Sequence, residues 1–273
     1  MSTLIAATRA EFAKVFTTRI WWILLIILGG YVALLSGGLG LLFGATSQGM
    51  LGASEGVEGM PTTGLATMIY STATSIGYVF PLLLGALATT GEFRHQTLTP
   101  SFLATPKRGI VLSAKAIALF LIGAGFGVVA IACSVGAGSA ALAGFDIDTA
   151  LDSSDTWALI GRSVLAMAIW SILGVGLGSV IPNQVATIVV VLAFTQFVEP
   201  ILRSVGALAD WIGTVTQWLP GAASDALVGA SFYGAMGASG AQLDWWAGGL
   251  VLLGIALVVT VLGWLATWSR DVT

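Results

Sequence analysis

GEFRHQTLTPSFLATPKRG, residues 91–109, carries five ionisable side chains, Glu92, Arg94, His95, Lys107 and Arg108, between two long apolar segments. The whole chain has 273 residues, of which 57% are hydrophobic and only 8% charged. A soluble domain carries about a quarter charged residues. The composition therefore excludes an ordinary soluble domain and points to an all-α polytopic membrane protein, with this stretch as a loop between two spans.

Working outward from the loop, a helix needs about 20 apolar residues to cross roughly 30 Å of hydrocarbon. Six stretches meet this need: 20–43, 68–90, 110–132, 157–181, 184–202 and 243–266. The fourth and fifth are separated by the turn signal Pro182-Asn183. Trp21-Trp22 at the first span, and Trp245-Trp246 with Trp264 and Trp268 at the last, fit an interfacial aromatic belt. Residues 203–242 read as an outer hairpin of short helices dipping into the membrane edge, anchored by Trp211 and Trp218. Within it ALVGASFYGAMGASGAQL, residues 226–243, is uncharged but dominated by Gly, Ala and Ser; re-entry suits it better than a full span, although a span would move the C-terminus outside. The chain reads as a single transmembrane domain.

Residues 1–19 form an amphipathic helix. Leu4, Ile5, Thr8, Phe12, Val15 and Phe16 fall in one arc at 100° per residue, opposite Ala10, Lys14 and Thr17, with Arg9 and Glu11 on the flanks. Such a helix lies in the membrane interface and is expected to position the chain without carrying chemistry. The apolar run that follows Arg19 is far longer than the roughly 7–15 residues of a signal-peptide core, so it is expected to stay in the membrane.

Orientation follows the basic residues. With both termini inside, Arg9, Lys14, Arg19, Arg94, Lys107, Arg108, Lys115 and Arg270 are cytoplasmic, and only Arg162 and Arg203 lie outside. That asymmetry fits the positive-inside rule. Glu55, Glu58, Asp146, Asp148, Asp152 and Asp155 fall in outer loops. Residues 91–109 are then the main cytoplasmic loop, and the membrane is the plasma (inner) membrane.

Few residues offer chemistry. The runs GAGFG (123–127) and GVGLG (174–178) lie in mid-span with no preceding strand, so they fail the context of a dinucleotide loop. Gly123 with Gly127, and Gly174 with Gly178, instead place small residues on one helix face for close helix packing. No GxxxxGK[ST] sequence occurs, so any ATP that drives this protein is bound elsewhere. His95 is the single histidine and Cys133 the single cysteine. No metal site, no catalytic residue and no nucleic-acid partner is expected. Arg162 and Glu199 are the charges expected at membrane depth, with Arg162 snorkelling outward and Glu199 either lining an outer gate or resting at the headgroups. A membrane enzyme would need a cluster of reactive side chains at one depth, and an ion-coupled secondary carrier would need broken spans with buried charge.

The loop itself suits docking. Thr99 followed by Pro100 reads as an N-cap with proline at the first helical position, giving a short helix over 101–104 that stops before Pro106. The pattern E-F-R-H-x-T-L, then L-A-T-P-K-R, then Lys115 resembles the loop between spans two and three of ABC-2-type transporter permeases, the membrane subunits of ATP-binding-cassette exporters. The matching residues are Glu92, Phe93, Arg94, Thr97, Leu103, Pro106, Arg108 and Lys115; Gln96 stands where that family most often has glycine.

The resemblance implies a permease that pairs with a second copy or a related permease. Each would receive a separate ABC ATPase, which holds the ATP and Mg. Residues 91–109 would be the coupling loop. Glu92, Arg94, His95, Lys107 and Arg108 would supply its polar contacts, Phe93, Phe102 and Leu103 its apolar ones, and Pro106 would end it. The walls of the spans favour a hydrophobic or amphipathic substrate such as a drug, antibiotic or lipid. An immunity or assembly module without bulk export would share the same ATPase partner.

Overall fold

The structure, a computed structural model, describes residues 3–50, 64–206, 210–235 and 243–269. In chain order the helices are α1 (Thr3–Thr17), α2 (Ile20–Ser47), α3 (Leu65–Ser75), α4 (Val79–Arg94), α5 (Leu98–Ala104), α6 (Arg108–Ala143), α7 (Ser154–Val180), α8 (Gln184–Ala193), α9 (Glu199–Gly206), α10 (Asp210–Thr216), α11 (Pro220–Val228), α12 (Phe232–Ala235) and α13 (Trp245–Gly263). Single π-helical turns, Phe194–Val198 and Trp264–Trp268, join α8 to α9 and extend α13. No strand occurs among the described residues, and six helical stretches are long and apolar enough to cross a membrane. The protein is an all-α polytopic membrane protein. Glu55, Glu58, Arg270 and residues 207–209 and 236–242 of the hairpin lie outside the described residues.

Three spans differ from the single helices expected in form or length. The second, expected as one helix over 68–90, is two helices broken at Ile76–Tyr78. Pro81 explains the break: it cannot donate back along the ladder, and its ring crowds the preceding turn. The fifth widens into its π turn just before Pro200, which lacks the same donor. The third, expected to end near residue 132, runs to Ala143 and has 36 residues, or about 54 Å at the α-helical rise. Residues 133–143 are mostly small and contain no proline, so nothing stops the helix before Gly144.

The bundle is built around α7. It packs against α4, α6 and α13, while α2 covers the other side of α6. Of the hydrophobic window in each span, 72% of residues are buried in α3–α4 and in α7, against 17% in the last span. An inner pair thus carries the core and an outer set faces the bilayer. Glycine allows the closest approaches: a Cβ at Gly174 would lie 2.1 Å from the Leu82 carbonyl oxygen, and one at Gly85 would lie 2.1 Å from that of Ser171. The same test places Gly123 against Ser171 Oγ at 2.6 Å, Gly127 against Val164 Cα at 2.9 Å and Gly178 against the Ala86 oxygen at 2.7 Å. The sequence-predicted glycines therefore all stand at helix–helix contacts. The buried polar groups of mid-bundle are hydroxyls. Ser36 Oγ lies 2.8 Å from both Thr72 Oγ1 and Ser134 Oγ, joining α2, α3 and α6.

Overpacking a close helix contact costs about 1–3 kcal/mol. Gly174→Ala should lower the midpoint of thermal unfolding in detergent accordingly. Gly125→Ala, whose Cβ would meet nothing within 4 Å, should leave it unchanged or raise it, since alanine is the better helix former by about 1 kcal/mol.

Candidate functional site: a buried ion cluster behind the charged loop

One end of the bundle gathers Lys14, Arg19, Arg94, Lys107, Arg108 and Lys115 and is called the basic end below. Here α4 stops in a Schellman arrangement: Thr97 N–H donates to the Glu92 carbonyl at 3.0 Å and Gln96 N–H to that of Phe93 at 3.3 Å. Gln96 takes a left-handed backbone, φ 53°, the conformation glycine adopts most freely. The turn delivers the chain into α5. This helix begins at Leu98, earlier than the sequence reading had it, with Pro100 inside the first turn, where a missing N–H is of no consequence. Thr99 is therefore not the cap.

The inward face of α5 carries Leu98, Ser101 and Phe102. Leu98 is buried, and the ring of Phe102 meets that of Trp268 edge-on at 5.7 Å. Phe93 meets the same indole at 6.4 Å, and the Arg108 guanidinium lies over Phe102 at 5.1 Å while donating to the Trp268 carbonyl. Outward, Leu103 is 79% exposed. Arg94, His95, Pro106 and Lys107 of the same loop are also exposed, Arg94 donating to Gln184 Oε1 at 3.1 Å.

Behind α5 lies a cluster of four charges. Lys14 Nζ donates to Glu11 Oε1 at 2.5 Å, to Glu92 Oε1 at 2.7 Å and to Ser101 Oγ at 3.2 Å. Lys115 Nζ donates to Glu11 Oε2 at 2.5 Å and lies 3.2 Å from Glu92 Oε1. The side chain of Lys115 is 1% exposed, those of Glu11 and Glu92 4% and 7%. Burial alone would raise the pKa of Glu11, but the charge of Lys115 and the hydrogen bonds from Lys115 and Lys14 outweigh it and hold the carboxyl below its ordinary value. Burial likewise works against the Lys14 ammonium, yet the charge of Glu92 and the bonds to Glu11 and Glu92 hold its pKa above the usual lysine value.

The loop residues proposed from sequence therefore divide. Arg94, His95, Leu103, Pro106 and Lys107 face outward. Glu92, read as a contact for a partner, is turned inward because two ammonium groups claim it, and Phe93 and Phe102 are engaged by Trp268. Sequence reasoning missed Glu11, Lys14 and Trp268, and it counted Lys115 among the cytoplasmic charges, not the buried ones. The signal was the placement of Glu11 beside an apolar arc, on a helix read as free of chemistry. A carboxylate there needs a partner, and Lys115, several residues into an apolar helix, needs one as well.

At the opposite end Glu199 is buried, facing protein instead of headgroups. Its Oε1 accepts from the backbone N–H groups of Gly221 at 2.6 Å and Ala222 at 3.1 Å, at the N-terminus of α11. A Cβ at Gly221 would lie 2.3 Å from that oxygen and would push the carboxylate off these donors. Further along α11, Asp225 accepts from Arg203 at 2.5 Å, Ser231 at 2.5 Å and Ser75 at 2.9 Å. The short helix is thereby stapled to the second and fifth spans. Trp211 and Trp218 are exposed, and Arg162 stacks on Trp245 at 4.4 Å. Among the described residues no three His, Cys, Asp or Glu side chains come together as a metal site.

Removing one member of a buried ion cluster strands the others, at a cost of about 3–5 kcal/mol. Lys115→Met should destabilise the fold by about that amount and lower the unfolding midpoint far more than Lys107→Met at the exposed loop. The pH profile carries a sign. A carboxyl held below its unfolded value stabilises the fold above pH 4.5 and loses that contribution as the pH falls through its lower folded value. Lys14 stabilises below 10.5 and loses its contribution as the pH rises through its higher folded value. Unfolding in detergent should thus show a plateau with an acid limb, and Glu11→Gln should flatten that limb.

No protein-family model matches the chain, and no curated protein matches it.

Proposed function

We propose that this chain is the membrane-spanning permease subunit of an ABC exporter, driven by a separate ATPase that seats on α5. The observation that carries the reading is the two-sidedness of α5. Its outward face offers the exposed Leu103, with Arg94, His95 and Lys107 exposed in the flanking loop, while its inward face is fastened to the bundle through Phe102, Trp268 and the Lys14–Ser101 bond. A push on such a helix passes to α1, α4 and α6 together, because the ion cluster joins all three. The loop motif carries the family resemblance, and the absence of a phosphate-binding loop from the sequence assigns ATP and Mg to the partner.

In this reading two permeases, identical or related, pair in the plasma membrane with the basic end and both termini in the cytosol. ATP draws the two ATPases together. Each moves its α5 as the handle of a rigid body, and the bundle switches between two openings. The substrate is hydrophobic or amphipathic, a drug, antibiotic or lipid, in keeping with spans whose interior polar groups are mostly hydroxyls.

The test is co-expression with candidate ABC ATPases and purification on a permease tag. Leu103→Asp alters only the outward face of α5 and should reduce ATPase recovery by about tenfold or more, as expected for the loss of a buried anchor. Arg94→Glu should abolish ATP-driven export while insertion stays normal. Normal export by both variants, or a wild type that purifies alone with every ATPase tried, would sink the reading.

A further inference from the structure

Between the ion cluster and the start of the first span lies a cleft of about 370 Å³. Ile20, Leu84 and Leu87 are among its apolar walls, and Lys14, Glu92 and His95 among its polar ones. Exposure sets its direction: His95 and Ile20 stand at an open mouth, while Glu92 is among the most buried of its walls. The mouth falls where α1 gives way to an apolar span, the level at which headgroups meet hydrocarbon.

A donor count defines what the cleft lacks. The three hydrogens of Lys14 are engaged by Glu11, Glu92 and Ser101. Lys115 is turned to Glu11, to Glu92 Oε1 and to the Ala88 carbonyl. Glu92 Oε2 is buried and accepts from nothing among the described residues. Two carboxylates against two ammonium groups leave the cluster neutral, so it exerts no net pull on an anion. The unmet need is a donor for one carboxylate oxygen at the polar end of an apolar slot.

We propose that this cleft binds a membrane phospholipid whose headgroup carries N–H donors, phosphatidylethanolamine, with the ammonium on Glu92 Oε2 and the start of one chain along Ile20, Leu84 and Leu87. The phosphate then rests at the mouth beside His95. Phosphatidylcholine has the same chains and charge but no N–H, so it cannot satisfy Glu92. The site stands apart from the ATPase reading, because it needs no partner protein.

The experiment uses the delipidated, purified chain, with lipid binding read by native mass spectrometry and by thermal shift. Phosphatidylethanolamine should bind about tenfold more tightly than phosphatidylcholine of identical chains, the worth of one hydrogen bond to a buried charge. Soluble glycerophosphoethanolamine should give no shift at the same concentration. In Glu92→Gln the amide oxygen keeps the lysine contacts and the NH₂ turns to the cleft, so the preference should vanish. Should that variant fail to fold, Leu87→Trp decides: it fills the slot without touching a charge and should also remove the preference. Equal binding of the two lipids by wild type, a preference that survives Leu87→Trp, or a shift with the soluble headgroup alone would overturn the proposal.

Discussion

Two buried carboxylates, the buried Lys115 and the half-exposed Lys14 share one place in this protein, and much of the basic end follows from keeping all four paired. Glu11 comes from the N-terminal helix, Glu92 from the end of the second span, Lys115 from the third span, and Lys14 closes the set while reaching Ser101 of α5. Each charge would be costly alone in this environment, so no one of the four helices can shift without unpairing another. Such a cluster adds little net stability over an apolar equivalent, since desolvation consumes most of the Coulomb gain. What it adds is definiteness, fixing an otherwise greasy amphipathic helix at one place and one rotation against α6. That rotation turns Glu11 and Val15 inward and leaves Leu4, Ile5 and Phe16 exposed on the side where lipid belongs.

The opposite end solves a similar problem with backbone as well as side chains. Residues 203–235 contain helices too short to span, and their unpaired backbone groups have to be satisfied inside protein. Glu199 takes the first two N–H groups of α11, and Asp225 collects Arg203, Ser75 and Ser231. Tyr78 stacks on Trp170 at 4.2 Å and Trp170 donates to Ser224, so the break in the second span and the docked α11 share one aromatic support. The kink at Ile76–Tyr78 is thus part of the docking site of α11.

How much of this the sequence disclosed depends on the range of the interaction concerned. The spans are legible because burial in lipid imposes a simple rule on length and polarity, and the turn at Pro182-Asn183 separates two of them cleanly. The glycine pairs are legible because their spacing marks one face of a helix. Local conformation within the spans is less so. Pro81 and Pro200 sit near a break and a π turn, yet proline alone does not say which residues will yield. The ion cluster was the least visible element, because Glu11, Glu92 and Lys115 are far apart in sequence and each taken singly has an ordinary surface explanation. Only the fold brings them together. Their absence from the surface then becomes informative: a chain so poor in charge places Glu11, Glu92 and Lys115 where water hardly reaches them, with the half-exposed Lys14 closing the set.

Taken together, the two polar ends and the middle between them define what can move. Between the ends the inner helices α4 and α7 touch backbone to backbone at Gly85 and Gly174, where there is no side chain to give way. A contact of that kind does not bend; it slides or separates as a whole. The ion cluster makes the same demand at one end, and the staples of α11 make it at the other. Deformation is therefore directed away from the inner bundle and towards its sparsely buried neighbours, the first, fifth and last spans. The fifth already carries a π turn above Pro200, a weak point in an exposed helix. Any conformational change that spares the buried charges has to run through those outer helices, with the inner bundle and α5 moving as one body.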